Sequence, residues 1–388
     1  MSSVADTENL YQVQTYKRFP FVVDRGEGNW IITDQGERYL DLYGGHAVVG
    51  TGHCHPTVVE AVRDQVGRLM FYSNLVHLPV RAAASEALVK SAPAGLDKVF
   101  FVNSGSEAND NAIKIVRKYT GRKGIISFEG GFHGRTAAAI SATGIEKFRN
   151  AMNPRLPDHH FVPFADTAAV ATLLEGGDIA GVLMEPVQSM AGVRTAPPEF
   201  YQEIKMLTEG AGALLIYDEV QTGMGRTGDW FFAGTHGVVP DVVTLGKAIA
   251  SGVPMGAVLI SDKVASTITY GDLGSTFGGG PVAAAALKAT IDVIREEKLL
   301  ERVQRCSARL KEGLVQHPAV KAVTGVGFLL GIVFEGPSAP WQKQLLEKRI
   351  LTGGSNDPSV MRLLPPMTLT DEEVEYFLDT FLGLKGES

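Results

Sequence analysis

Cysteine is nearly absent: Cys54 and Cys306 are the only two in 388 residues. They are too few and too far apart for a disulfide framework, which points to a reducing compartment. No run of eighteen apolar residues occurs, so no membrane-spanning helix is expected. The start lacks a basic segment followed by an apolar stretch, so no secretory signal is expected either, and the reading is a cytoplasmic protein. Positive charge is also short: 36 Lys and Arg against 43 Asp and Glu leave a net charge of −7. Nucleic acid binding needs clustered positive charge, so it is not an expected activity. His53, Cys54 and His55 are too crowded to give tetrahedral ligation and no second cluster completes them, so no metal is expected. The G-x-G-x-x-G fingerprint is missing as well, which speaks against a nicotinamide-dependent dehydrogenase.

What is present is a chain that is 45% hydrophobic, with 44 glycines, long enough for a large and a small lobe with a sizeable core. Residues 1–43 read as a short polar helix and then strands, with a hairpin turn at Asp34-Gln-Gly36; this segment is expected to pack with the small lobe. Pro56 opens a helix after a Gly-rich loop. From residue 98 apolar strands, Gly-containing loops and amphipathic helices alternate, the pattern of an α/β fold with a mostly parallel sheet. Lys98–Val102 is the first such strand and Glu107–Tyr119 the first helix. Residues 44–281 are expected to form the large domain. A long helix from Val282 to about Glu297 then leads into a smaller α+β lobe, residues 282–388, in which Val326–Phe334 reads as one buried strand. Thr370-Asp-Glu-Glu373 reads as an N-cap and acidic first turn.

Several loops carry more than packing requires. Asn103-Ser-Gly-Ser106 precedes a helix, where small residues let backbone N–H groups approach a phosphate; a plain N-cap by Ser104 or Ser106 accounts for it equally well. Phe132, His133 and Arg135 project from a strand's carboxyl end, where open parallel sheets place ligands, although a core Phe132 and a surface Arg135 would look the same. Two apolar strands end on carboxylates, at Glu185 and at Asp218-Glu219. Arg362 adjoins another apolar strand end. Lys247 lies among Val242, Val243, Leu245 and Ile249; alone it would read as a lysine snorkelling to water, but a desolvated amine is also the nucleophile that forms Schiff bases. A phosphate cradle, an aromatic plate, a strand-end carboxylate, a lysine 29 residues after it and two arginines together describe a pyridoxal 5'-phosphate site.

Six stretches, in order along nearly the whole chain, are similar to those of the class III, ornithine/acetylornithine-type aminotransferases of fold type I. They are Gly52-His-Cys-His-Pro56, Asn103-Ser-Gly-Ser-Glu-Ala-Asn109, Phe132-His-Gly-Arg-Thr136, Tyr217-Asp-Glu-Val-Gln-Thr-Gly-Met-Gly-Arg-Thr-Gly228, Thr244-Leu-Gly-Lys247 and Ser275-Thr-Phe-Gly-Gly279. The resemblance implies that Lys247 bonds the cofactor's aldehyde, Asp218 pairs with its ring nitrogen, Val220 covers one ring face, Phe132 stacks on it and Gln221 meets its phenolic oxygen. It implies that Gly105 and Ser106 hold the phosphate, joined by Thr276 from a second subunit of a homodimer with shared sites, and that Glu219 belongs to the cofactor-binding set. Arg135, Ser275, Arg362 and Glu185 are implied to bind substrate. The implied reaction moves the terminal amino group of an N-acylornithine-like donor, N2-acetylornithine being favoured, to 2-oxoglutarate, giving glutamate. Other ω-amino donors (ornithine, 4-aminobutyrate, a lysine precursor) and a glutamate-semialdehyde aminomutase are the alternatives. One departure stands out: the family's Glu-Pro-x-Gln-Gly-Glu reads Glu185-Pro-Val-Gln-Ser-Met190 here, so the carboxylate that in relatives covers the arginine matching Arg362 is a methionine.

Overall fold

The computed structural model describes residues 3–151 and 155–385; the outermost ends of the expected N-terminal segment and small lobe fall outside them. Among the described residues, fifteen strands are arranged in three sheets. In chain order they are β1 (Val23–Glu27), β2 (Trp30–Thr33), β3 (Arg38–Asp41), β4 (Lys98–Val102), β5 (Gly124–Phe128), β6 (His159–Val162), β7 (Ile179–Met184), β8 (Leu214–Asp218), β9 (Val242–Leu245), β10 (Gly256–Ile260), β11 (Val320–Val326), β12 (Leu329–Phe334), β13 (Ile350–Leu351), β14 (Gly353–Gly354) and β15 (Val360–Leu363).

The central sheet has seven strands in the order β4-β10-β9-β8-β7-β5-β6. β5 to β9 run parallel to one another, while β10 is antiparallel to both β9 and β4. Every residue of β5, β7, β8 and β9 is buried. That explains their unbroken apolar runs, because a parallel sheet covered by helices has no solvent face to alternate with. The helix Gly105–Thr120 lies across this sheet. Ser104 caps it, its hydroxyl accepting from the Glu107 N–H at 3.2 Å, and Gly121 ends it at φ 69°. Its buried stripe includes Ala108, Ala112, Ile113, Ile115 and Val116, each larger aliphatic contributing about 1.5–3 kcal/mol on burial. The packing fixes the helix N-terminus beside the carboxyl ends of β8 and β9, and Asp218 pairs in register with Thr244 there.

The remaining sheets are antiparallel apart from one pairing. β1, β2 and β3 form a meander whose β2–β3 connection includes Asp34-Gln-Gly36, and β3 pairs in parallel with β13, Leu40 opposite Ile350. The stretch Val326–Phe334, expected as one strand, is instead the turn and second arm of a hairpin. Val326 pairs with Leu329, and Gly327 turns the chain at φ 56°. A Cβ there would lie 2.5 Å from the Arg226 and Thr227 backbone, so only glycine makes this turn. The helix Pro281–Glu296 is followed by Leu299–Leu314, with Lys298 at φ 52° between them. The last helix, Asp371–Leu382, opens with a capping box between Thr370 and Glu373. Glu373 also accepts from Asn29 Nδ2 and Trp30 Nε1, joining the first strands to the last helix. No helix among the described residues is long and apolar enough to cross a membrane.

Candidate active site

A cleft of about 420 Å³ opens at the carboxyl ends of the parallel strands, the position open α/β sheets give their ligands. It is lined by Gly105, Ser106, Phe132, Arg135, Glu185, Asp218, Val220, Gln221 and Lys247 together, residues contributed by five separate loops.

Lys247 follows β9 and begins a short 3-10 turn. Its φ is 45°, a strained value for a side chain this long. Desolvation holds its ammonium below the ordinary lysine value; Asp218 and Glu185 pull the other way, and Arg362 adds to the lowering. The lysine is thus biased toward the neutral, nucleophilic amine.

Asp218 ends β8 and is buried, with one edge committed to structure. Its Oδ2 accepts from Asn109 Nδ2 at 2.7 Å and pairs with His133 Nδ1 at 2.8 Å, while Oδ1 accepts from the Val220 N–H at 3.1 Å. Asn109 is fixed in turn: it donates to the His133 carbonyl at 2.7 Å and accepts from Thr244 Oγ1 at 2.6 Å. With its Nδ1 turned to Asp218, His133 has a buried Nε2 without a partner among the described residues. This network under Asp218 was not read from the sequence, although Asn109 and His133 both sit inside the motifs that drew attention.

At the helix start, Gly105 lets Val220 approach closely: a Cβ on Gly105 would lie 2.6 Å from a Val220 methyl. Ser106 Oγ accepts from the backbone N–H groups of Arg135 and Thr136 at 2.9 and 3.0 Å. The helix therefore holds the Phe132–Arg135 loop, and the caps are divided, with Ser104 closing the helix and Ser106 tying the loop. The Gly105 and Ser106 N–H groups meet no acceptor among the described residues, and the positive end of the helix dipole favours an anion beside them. Glu185 is buried and accepts from the Phe132 N–H at 2.7 Å. Burial pushes its carboxyl above the ordinary range, with His133 opposing and Asp218 reinforcing the shift.

Four expected residues do not line the cleft. Glu219 is the correction: its carboxylate accepts from Thr222 Oγ1 and from the Phe232 and Ala233 N–H groups at 3.0, 2.6 and 2.7 Å. It braces the loop after β8 and lies outside the cleft that Asp218, Val220 and Gln221 line. Ser275 and Thr276 lie on a loop outside this chain's own cleft; Thr276 is exposed, and Ser275 accepts from Asn103 Nδ2 at 3.3 Å. Arg362, on β15, is buried behind the cleft. It donates to the Gly354 carbonyl at 2.6 Å, to Ser189 Oγ at 2.8 Å and to Tyr43 Oη at 3.2 Å. All three partners are neutral, and Met190 lines the cleft. Tyr43 Oη also lies 2.6 Å from His46 Nδ1. Burial, then Arg362 and Lys247, hold His46 below the ordinary histidine value.

The fold and this cleft define a transaminase of the class III type. The sequence profile of the class-III aminotransferases matches residues 11–383, and the chain belongs to that family, whose members depend on pyridoxal phosphate. The acetylornithine aminotransferase of Methanopyrus kandleri is 42% identical over 94% of this chain and 94% of its own. That of Mesorhizobium japonicum is 40% identical over 96% of each. Among solved structures, the ornithine aminotransferase of Toxoplasma gondii superposes with a TM-score of 0.93 at 29% identity, over 98% of this chain and 94% of that one.

Proposed function

We propose that this chain is an N2-acetylornithine:2-oxoglutarate aminotransferase that uses pyridoxal 5'-phosphate, acting in arginine-type amino-acid biosynthesis. The observation that carries the reading is the meeting, in one cleft, of a desolvated lysine, a pinned carboxylate and a helix start with two unengaged N–H groups. The naming of relatives at about 40% identity selects the substrate.

These residues fit the cofactor. Gly105 and Ser106 would take its phosphate, Asp218 its ring nitrogen, and Gln221, by donating from its amide NH2, its phenolic oxygen; Phe132 and Val220 would cover its two faces. Bound there, pyridoxal phosphate supplies an aldehyde that takes an amine and a ring that withdraws electrons from the substrate carbon. The protein does the rest. Asp218, its geometry fixed by Asn109 and His133, keeps a negative charge at the ring nitrogen. Lys247 Nζ, as the neutral amine, would hold the cofactor's aldehyde and, once the substrate's own amine had displaced it, would be free to take up the substrate's proton and return it. Arg135 and Arg362 would bind carboxylates, with Glu185 completing the pocket within the chain and Ser275, outside this chain's own cleft, serving the pocket of a second copy as Thr276 would. Glutamate, reacting through its 2-amino group, would set its adjacent carboxylate at Arg362 and its side-chain carboxylate at Arg135. Acetylornithine, reacting through its far amine, would use Arg135 alone.

A homodimer with shared sites belongs to this reading: exposed Thr276 would complete the phosphate site of a second copy, and the adjoining Phe277 and Phe71 pair at 5.0 Å on the exposed surface. So does a division into residues 1–43, 44–281 and 282–388, supported by the β3–β13 pairing, and a cytoplasmic setting, in keeping with two unpaired cysteines. The test is a donor panel with 2-oxoglutarate, measuring glutamate. N2-acetylornithine should give the highest kcat/KM among acetylornithine, ornithine, 4-aminobutyrate and lysine. A higher value for any other donor overturns the substrate assignment.

A further inference from the structure

Arg135 lines the cleft from an exposed position, yet it is not held there by hydrogen bonds or charge. Its backbone N–H donates to Ser106 Oγ, but among the described residues its guanidinium has no hydrogen-bond acceptor and no carboxylate within ion-pair distance. A free side chain of this length would sample many directions and lose that freedom on binding. What meets it is aromatic. The guanidinium carbon lies 4.1 Å from the Phe148 ring centroid and 5.7 Å from that of Phe132. The two rings meet edge to face, 5.6 Å apart at 77°. Phe148 sits on the short helix Glu146–Arg149, half-buried.

We propose that Phe148 is a positioning residue that aims Arg135 into the cleft and so makes the distal end of the site selective for a carboxylate. The choice of an aromatic holder has a chemical consequence. A carboxylate would fix the guanidinium equally well but cancel the charge the substrate needs. A ring attracts the cation through its quadrupole, covers one face, and leaves the in-plane N–H groups free for bidentate pairing. This inference rests on the reading that Arg135 receives a substrate carboxylate.

The test uses cofactor-loaded full-length protein carrying Phe148→Leu or Phe148→Tyr. Calorimetry measures the Kd of glutarate, an unreactive dicarboxylate, and single turnovers follow glutamate, N2-acetylornithine and N-acetylputrescine, the acetylornithine analogue without a carboxylate. Phe148→Leu should weaken glutarate and raise KM for both carboxylate donors roughly three- to tenfold. Its kcat should stay within about twofold of the wild type. N-acetylputrescine should be unaffected, and Phe148→Tyr, which keeps the ring, should behave as wild type. Unchanged glutarate affinity in Phe148→Leu, an equal loss in Phe148→Tyr, or an equal loss for N-acetylputrescine each overturns the proposal. A failure of the Arg135 reading is seen separately, as an Arg135→Ala protein that binds glutarate normally. A failure of the acetylornithine assignment is seen in the wild type and leaves the glutarate and glutamate measurements valid.

Discussion

Asp218→Asn separates the chemistry of the ring nitrogen from substrate recognition, and the structure sets its size. Asp218 receives three donors: Asn109 Nδ2 and His133 Nδ1 on Oδ2, and the Val220 N–H on Oδ1. An asparagine has one oxygen, so in either orientation its NH2 confronts at least one of these donors. If the NH2 takes the Oδ2 position, His133 can relieve its part by moving its proton to Nε2, which has no partner. Asn109 cannot, because its own oxygen is engaged by Thr244. If the NH2 takes the Oδ1 position, it faces the Val220 N–H. One buried donor is therefore stranded in either case, costing about 1–3 kcal/mol of stability. The loss of charge at the ring should cost catalysis about 2.7–4 kcal/mol, a factor of roughly 10² to 10³ in the chemical step. Stopped-flow single turnovers with glutamate and with N2-acetylornithine should fall by the same factor, since Asp218 contacts neither substrate, while denaturant unfolding reports the stability term. A selective fall in one half-reaction, or wild-type rates in both, would refute the reasoning.

Borohydride reduction of the loaded protein, followed by peptide mass spectrometry, should put a phosphopyridoxyl increment on the peptide containing Lys247; an increment on another lysine removes the central assignment. Arg362→Ala should slow the glutamate half-reaction by about 2–5 kcal/mol, roughly 30-fold to several thousandfold, and largely spare acetylornithine, whereas Arg135→Ala should harm both. Equal damage to both half-reactions by Arg362→Ala would sink the assignment of its carboxylate. Heterodimers of Lys247→Ala with Thr276→Ala chains should regain activity, because one of the two sites escapes both lesions; verified heterodimers without activity would argue for sites built within one chain. His159 is held down to about 4 from 6.5 by burial, with Arg117 and two neighbouring histidines adding to it. Its lowered folded value means the unfolded chain binds the extra proton first on acidification, so stability present above pH 6.5 is lost as the pH falls through about 4. Thermal melts of His159→Gln should show a weaker acid dependence than the wild type, and identical slopes would count against it.

The parts of this site that were legible in the sequence are those where a periodic rule and a chemical need coincide. β7 and β8 are buried on both faces, so they appear as unbroken apolar runs, and Glu185 and Asp218 stand out where those runs end. Lys247 stands out for the same reason at the end of β9. Glu219 enters the expected set through the resemblance, within the same motif as Asp218, but its carboxylate is engaged by the Phe232 and Ala233 N–H groups, which no local pattern marks. Val326–Phe334 failed for a related reason. An apolar run does not reveal a reversal when the turn is only Gly327-Phe328, its glycine wedged against Arg226 and Thr227, a contact that exists only after the chain has folded. Arg362 joins the two kinds of information. Its apolar strand is visible in sequence, but of its partners only Gly354 is nearby in the chain, and Tyr43 and Ser189 come from distant stretches. Those neutral partners give the Met190 departure its physical meaning. Where a neighbouring carboxylate would neutralise the guanidinium between half-reactions, here hydroxyl and carbonyl oxygens hold it in place without cancelling its charge. On the proposed reading Arg362 would be ready for the carboxylate of glutamate, and acetylornithine would bind beside a cation it does not neutralise. Residues 189 and 190 would then set an asymmetry between the two half-reactions, and Met190→Glu should narrow it by weakening glutamate and strengthening acetylornithine. Separate KM values for the two donors decide this, and parallel changes in both would mean that the methionine has no bearing on Arg362.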